Sequence, residues 1–113
     1  MKENFENDDF FNLLNAKVIE NLEICGGDPE IPYEVEFFLY FYTEEDSYRA
    51  AAMIQKAGYD VELSYDTTNS DWLFLATKKV APNSTNINKM TRYLRRVAKS
   101  FRGKYDGWGT LVK

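Results

Sequence analysis

Histidine is absent from this 113-residue chain, and cysteine occurs once. The first absence removes the commonest general base, the Ser-His and Cys-His nucleophile pairs and any His-containing metal site. The lone Cys25 permits neither an internal disulfide nor a thiolate metal cage. Glycine (six) and proline (three) are sparse, and the glycines lie scattered at turns rather than in a phosphate-cradling loop. No apolar run approaches the roughly 20 residues that span a bilayer. The opening stretch MKENFENDDFFNLLN breaks its apolar positions with acids and amides, unlike a signal peptide. These absences lead to the expectation of a cytoplasmic protein with no cofactor, no metal and no membrane association.

What is present is aromatic and unevenly charged. Eight Phe, eight Tyr and two Trp make up 16% of the chain, and any surplus over core demand belongs on an interaction surface. The net charge is −4. Residues 1–36 are strongly acidic, whereas residues 80–113 carry eight basic side chains against Asp106 alone. Such a split predicts either a dipolar surface or two ends that neutralise each other.

Periodicity predicts seven elements. DDFFNLLNAKVIENLEI spaces Phe10, Phe11, Leu14, Val18 and Leu22 as one face of an amphipathic helix, which the turn residues of GGDPEIP terminate. YEVEFFLYFY reads as a strand, with Val35, Phe37, Leu39 and Phe41 on one face and Phe38, Tyr40 and Tyr42 on the other. TEEDSYRAAAMIQKAGY opens with Thr43 and Asp46 at capping-box spacing and ends on Gly58, as a helix does. YDVELSY alternates strictly, DTTNSD is a turn, and WLFLATKK is the returning strand. A helix over about 85–102 follows, with Ile87, Met90, Leu94, Val97, Ala98 and Phe101 as its apolar stripe. Lys89, Arg92, Arg96 and Lys99 gather on the opposite side, flanked by Arg95 and Arg102. GKYDGWGTLV closes as a strand in which Tyr105, Gly107 and Gly109 alternate with Asp106, Trp108 and Thr110.

After the leading helix, the order βαββαβ predicts an α+β, ferredoxin-like domain: a four-stranded antiparallel sheet with two helices on one face. We expect residues 1–26 to form the N-terminal helix and linker, and 27–113 the domain proper. The other sheet face would then present Phe38, Tyr40 and Tyr42. Two covers are open for it, the N-terminal helix and a second copy of the chain.

Catalytic readings find little support. Cys25 has acidic neighbours and a helix C-terminus beside it, both of which oppose a reactive thiolate. Glu44, Glu45 and Asp46 sit in a first helical turn, where acids complement the dipole. The basic stripe of Lys89, Arg92, Arg96 and Lys99 has three open readings: a solvated face, a contact for an acidic protein surface, or an RNA contact on a fold that RNA-recognition domains also use. The basic-Gly-aromatic-Gly signature of those domains is missing from SDWLFLATKK. Trp108 either packs inward or anchors a partner.

The stretches GDP (27–29), VEFFLYF, AAAMIQKAGYDVE and YDGWGT together resemble the regulator of ribonuclease E activity B family, also called ribonuclease E inhibitor B, in register from about Gly27 to Thr110. The resemblance implies a ferredoxin-like fold, no catalysis, and regulation through binding of ribonuclease E, with consequences for RNA turnover. The helix over 85–102 is basic where that of the inhibitors is acidic. The expected partner is therefore a protein, ribonuclease E or a related degradation enzyme. The alternative is a small RNA-binding module or a homodimeric domain using the basic helix.

Overall fold

A computed structural model describes residues 8–110. Its elements are α1 (Asp8–Ile24), β1 (Tyr33–Phe41), α2 (Glu44–Lys56), β2 (Asp60–Asp66), β3 (Asp71–Val80), α3 (Ser84–Ser100) and β4 (Lys104–Thr110). The strands form one antiparallel sheet in the order β2-β3-β1-β4, the strand order of the ferredoxin-like arrangement. Alternation along β1 sends Val35, Phe37, Leu39 and Phe41 to full burial under the helices. They meet Phe74 and Ala76 of β3, Ala50 and Ile54 of α2, and Ile87, Leu94 and Val97 of α3.

Local chemistry sets the helix boundaries. Thr43 caps α2 by accepting the Asp46 amide at 3.1 Å, and Asn83 caps α3 by accepting that of Asn86 at 2.9 Å. All three helices end in the same paired-bond motif with a left-handed residue. In α1 and α2 that residue is Gly26 (φ +93°) and Gly58 (φ +100°). In α3 it is Arg102, at φ +58°. There the Arg102 amide donates to the Lys99 carbonyl and the Gly103 amide to that of Ala98. The Arg102 guanidinium reaches back to the Asp46 carboxylate, with bonds of 3.1–3.3 Å. A non-glycine residue in this conformation is strained, and here its side chain is tied to Asp46. Gly103 follows because nothing larger fits: a Cβ there would run into the Phe41 ring and lie 2.6 Å from the Tyr40 carbonyl oxygen.

The closing strand departs from simple alternation. Phe38 pairs with Gly107 and Leu39 with Tyr105, so Asp106 is an extra residue and forms a bulge. Gly107 takes φ +137° at this point. The extra residue reverses the parity of the strand. Tyr105 and Trp108, expected on opposite faces, both lie on the helical side, while Gly107 and Gly109 back the open side.

Of the two covers left open for the sheet face, α1 is not the one. The helix packs beside α3 in the helical layer, over β4. The reason is Asn15, 3% exposed in the middle of α1. Its amide donates to Asn88 Oδ1 at 3.0 Å and Thr91 Oγ1 at 3.1 Å, and its Oδ1 accepts the Trp108 indole N–H at 2.9 Å. The buried stripe of α1 accordingly includes Asn15, Ile19 and Leu22, leaving Leu14 in the exposed class.

Replacing Asn15 by Ala should strand the buried Trp108 indole N–H and cost about 1–3 kcal/mol in urea denaturation, with a red-shifted tryptophan emission. Gly103→Ala should cost a comparable amount, about 1–3 kcal/mol, by pushing Phe41 off its rotamer. A melting temperature equal to that of the parent protein would contradict the close approach.

Candidate interaction surfaces

Two surfaces of opposite charge emerge from this arrangement. The first is the open sheet face. Side chains of directly paired residues share a face, so the register places Phe38 and Tyr40 of β1 beside Leu75 and Leu73 of β3. Glu62 and Ser64 of β2 lie next to the same leucines. A shallow groove of about 380 Å³ runs among Phe38, Tyr40, Glu62, Ser64, Leu73 and Leu75. Phe38 is 39% exposed, and Tyr42, just past the strand, is 68% exposed.

Acids surround this apolar centre. The register puts Glu34 and Glu36 on the face from β1, Asp60, Glu62 and Asp66 from β2, and Asp71 from β3. The bulge adds Asp106, while Lys79 and Lys104 are the basic residues with the same parity. The Tyr40 phenol registers the field. The Asp106 carboxylate, then burial, then Asp71 and Asp66 push its pKa above the ordinary tyrosine value, because a phenolate there would face like charges.

The second surface lies at the β4 edge of the helical layer. A cleft of about 680 Å³ is lined by Asp8 and Phe11 of α1, by Arg92, Arg95, Arg96, Ala98 and Lys99 of α3, and by Arg102, Gly103, Lys104 and Tyr105. Asp8 spans two of the arginines, accepting from Arg92 Nε at 3.0 Å and from an Arg95 Nη at 2.9 Å. The Arg95 guanidinium lies over the Phe11 ring, 3.9 Å from its centroid. Partial burial opposes ionisation of Asp8, but the hydrogen bonds from Arg95 and Arg92 outweigh it and hold its carboxyl below the usual value of 3.8. Here the acidic and basic ends of the chain do meet, at one carboxylate.

The residues singled out from the sequence therefore separate. Phe38, Tyr40 and Tyr42 belong to the sheet side, and Arg92, Arg96 and Lys99 to the cleft. Trp108 joins neither set, being half-buried on the helical side and hydrogen-bonded to Asn15. Cys25 is exposed just beyond α1. Sequence reasoning missed Asn15, although its spacing four residues after Phe11 and seven before Leu22 places it on the apolar stripe. It also missed the ring of acids on the sheet, whose members come from all four strands.

Asp8 and Asp46 both have depressed carboxyl pKa values in the folded protein, Asp46 chiefly through the Arg102 hydrogen bonds. Their stabilising contribution is thus complete above the unfolded value and is lost as pH falls through the folded one. Denaturant midpoints measured from about pH 5 down to about pH 2 should decline. Asp46→Asn should flatten part of that decline; an unchanged profile in this variant would remove Arg102–Asp46 as a contributor.

Residues 13–110 match the family model "Regulator of ribonuclease activity B". Similar proteins of that name include one from Idiomarina loihiensis, 27% identical over 88% of this chain and 80% of the relative. The protein of Actinobacillus succinogenes is 31% identical over 86% of this chain and 71% of its own length. That of Proteus mirabilis is 29% identical, covering 82% and 68% respectively. The family match begins inside α1 and ends on the last residue of β4, so it takes in every strand and the helix that docks on them. The chain belongs to the regulator of ribonuclease activity B family.

Proposed function

We infer that this protein acts without catalysis, by binding a ribonuclease of the ribonuclease E type and lowering its cleavage of RNA in the cytoplasm. One observation carries the reading. The open sheet face combines an apolar centre, Phe38, Tyr40, Leu73 and Leu75, with surrounding carboxylates, and no described helix packs over it. This is the chemistry that recognises a basic segment bearing a few aromatic or aliphatic side chains. The acids draw the segment in, and the apolar residues hold it once water is excluded. Two supports come from outside the face. The curated relatives carry the name of ribonuclease regulators. Among the described residues, no helix is long and apolar enough to cross a membrane.

The experiment is a cleavage assay with purified ribonuclease E, a labelled RNA and increasing amounts of this protein. We expect slowed cleavage that weakens with added salt. Phe38→Ala combined with Tyr40→Ala should lower the inhibitory potency at least about tenfold, the loss expected when two aromatic anchors are truncated. Glu36→Lys with Glu62→Lys should mainly slow association. Full inhibition by all of these variants would discard the sheet face. No inhibition and no co-purification with the parent protein would discard the partner. Light scattering on the same samples separates a free sheet face from one closed by homodimerisation.

A further inference from the structure

The cleft at the β4 edge is not used by the sheet-face reading, and its composition asks for a ligand of opposite charge. Arg92, Arg95, Arg96, Lys99, Arg102 and Lys104 line it, with Asp8 the single acid among the described lining residues. The chain as a whole has a net charge of −4, so this concentration of cations runs against the molecular average. Helix stabilisation does not account for it. A cation in the last turn of α3 suits the dipole, which explains Lys99, but Arg92, Arg95 and Arg96 lie before that turn.

We propose that this cleft is a docking site for an acidic peptide segment of a partner protein, whose Asp and Glu side chains continue the row that Asp8 begins. A carboxylate is already seated there. The two oxygens of Asp8 are divided between Arg92 and Arg95 at 3.0 and 2.9 Å, an arrangement that guanidinium groups favour for carboxylates. Beyond it, Arg96 and Lys99 are exposed and form no ion pair with any described residue. They extend the positive field along the cleft, and the Phe11 and Tyr105 rings supply apolar walls for the methylene groups of a peptide.

The same details disfavour the other polyanions. Binding of single-stranded nucleic acid depends on ring faces free for base stacking. Phe11 already has Arg95 over its face and meets Tyr105 edge-on, at a centroid distance of 6.2 Å. The sheet face of a second copy has its carboxylates spread over four strands, and they do not form a ridge that enters a cleft. The cleft and the sheet face lie on different sides of the sheet, so a protein with both occupied would bridge a basic and an acidic segment.

The test is fluorescence anisotropy with the full-length protein and three labelled probes of equal length: a mixed Asp/Glu peptide, its Asn/Gln counterpart and an oligouridylate. We expect saturable binding of the acidic peptide alone, weakening on the order of tenfold between about 50 and 300 mM salt. Arg96→Glu with Lys99→Glu should abolish it, and thermal melts should confirm that the two exposed changes leave the fold intact. Should charge reversal disturb folding, Arg96→Gln with Lys99→Gln should still weaken binding several-fold. The proposal is overturned by any of four results: no saturable peptide binding, equal binding by the variants, tighter binding of the oligouridylate, or concentration-dependent self-association that the same variants abolish. Variants at Phe38 and Tyr40 leave this cleft untouched, so failure here and failure of the sheet-face reading are separable.

Discussion

The bulge at Asp106 in β4 is the constraint on which the rest of the molecule depends. A regular strand would direct Tyr105 and Trp108 to opposite faces of the sheet. One inserted residue, followed by Gly107 at φ +137°, turns both rings toward the helices. There Trp108 offers its indole N–H to Asn15, and Tyr105 meets Phe11. Those two contacts fix where α1 lies. Because α1 lies there, the opposite sheet face is left without a described helix over it, and a cleft forms between α1 and α3. The glycines serve the same end from the other side, since Gly107 and Gly109 add no side chain beside Phe38 and Glu36.

Charge is organised by this placement rather than by position along the chain. The linear sequence divides into an acidic first third and a basic last third. In three dimensions the acids of the sheet face come from all four strands, including Asp60, Glu62, Asp66 and Asp71 in the middle of the chain. The basic cleft draws on α3, the turn after it and β4. Among the described residues Asp8 carries the acidic end into the basic region, and its carboxyl, spanning Arg92 and Arg95, serves as a fastener between α1 and α3. Both pairs are partly exposed, so each contributes at most about 1 kcal/mol. The buried Asn15 junction holds the helix more firmly than its charges do.

Arg102 links the two themes. It occupies a left-handed position that the other two helices give to glycine, and its side chain, 79% exposed, covers a carboxylate of Asp46 that is 6% exposed. The cap of α3 is thereby tied to the first turn of α2, and a guanidinium is kept at the rim of the cleft. Backbone strain of this kind persists only where surrounding contacts over-determine it; here the bonds to Asp46 and the close approach of Gly103 to Phe41 do so.

Much of the molecule was legible before folding was considered. Alternation in YEVEFFLYF, the Thr43 and Gly58 boundaries of α2 and the stripe Ile87, Met90, Leu94, Val97 are local patterns, and local patterns determine elements. The absence of histidine excluded whole classes of chemistry, and YDGWGT with its companions marked the family. The side on which α1 docks was not legible, because it turns on a hydrogen bond between residues 93 positions apart. Nor was the facing of Tyr105 and Trp108, since a bulge is a property of two paired strands and not of one. Sequence by itself therefore determined the elements, their order and the family. The tertiary structure alone decided which side chains share a surface, because strand pairing and helix docking bring together residues that no local periodicity relates.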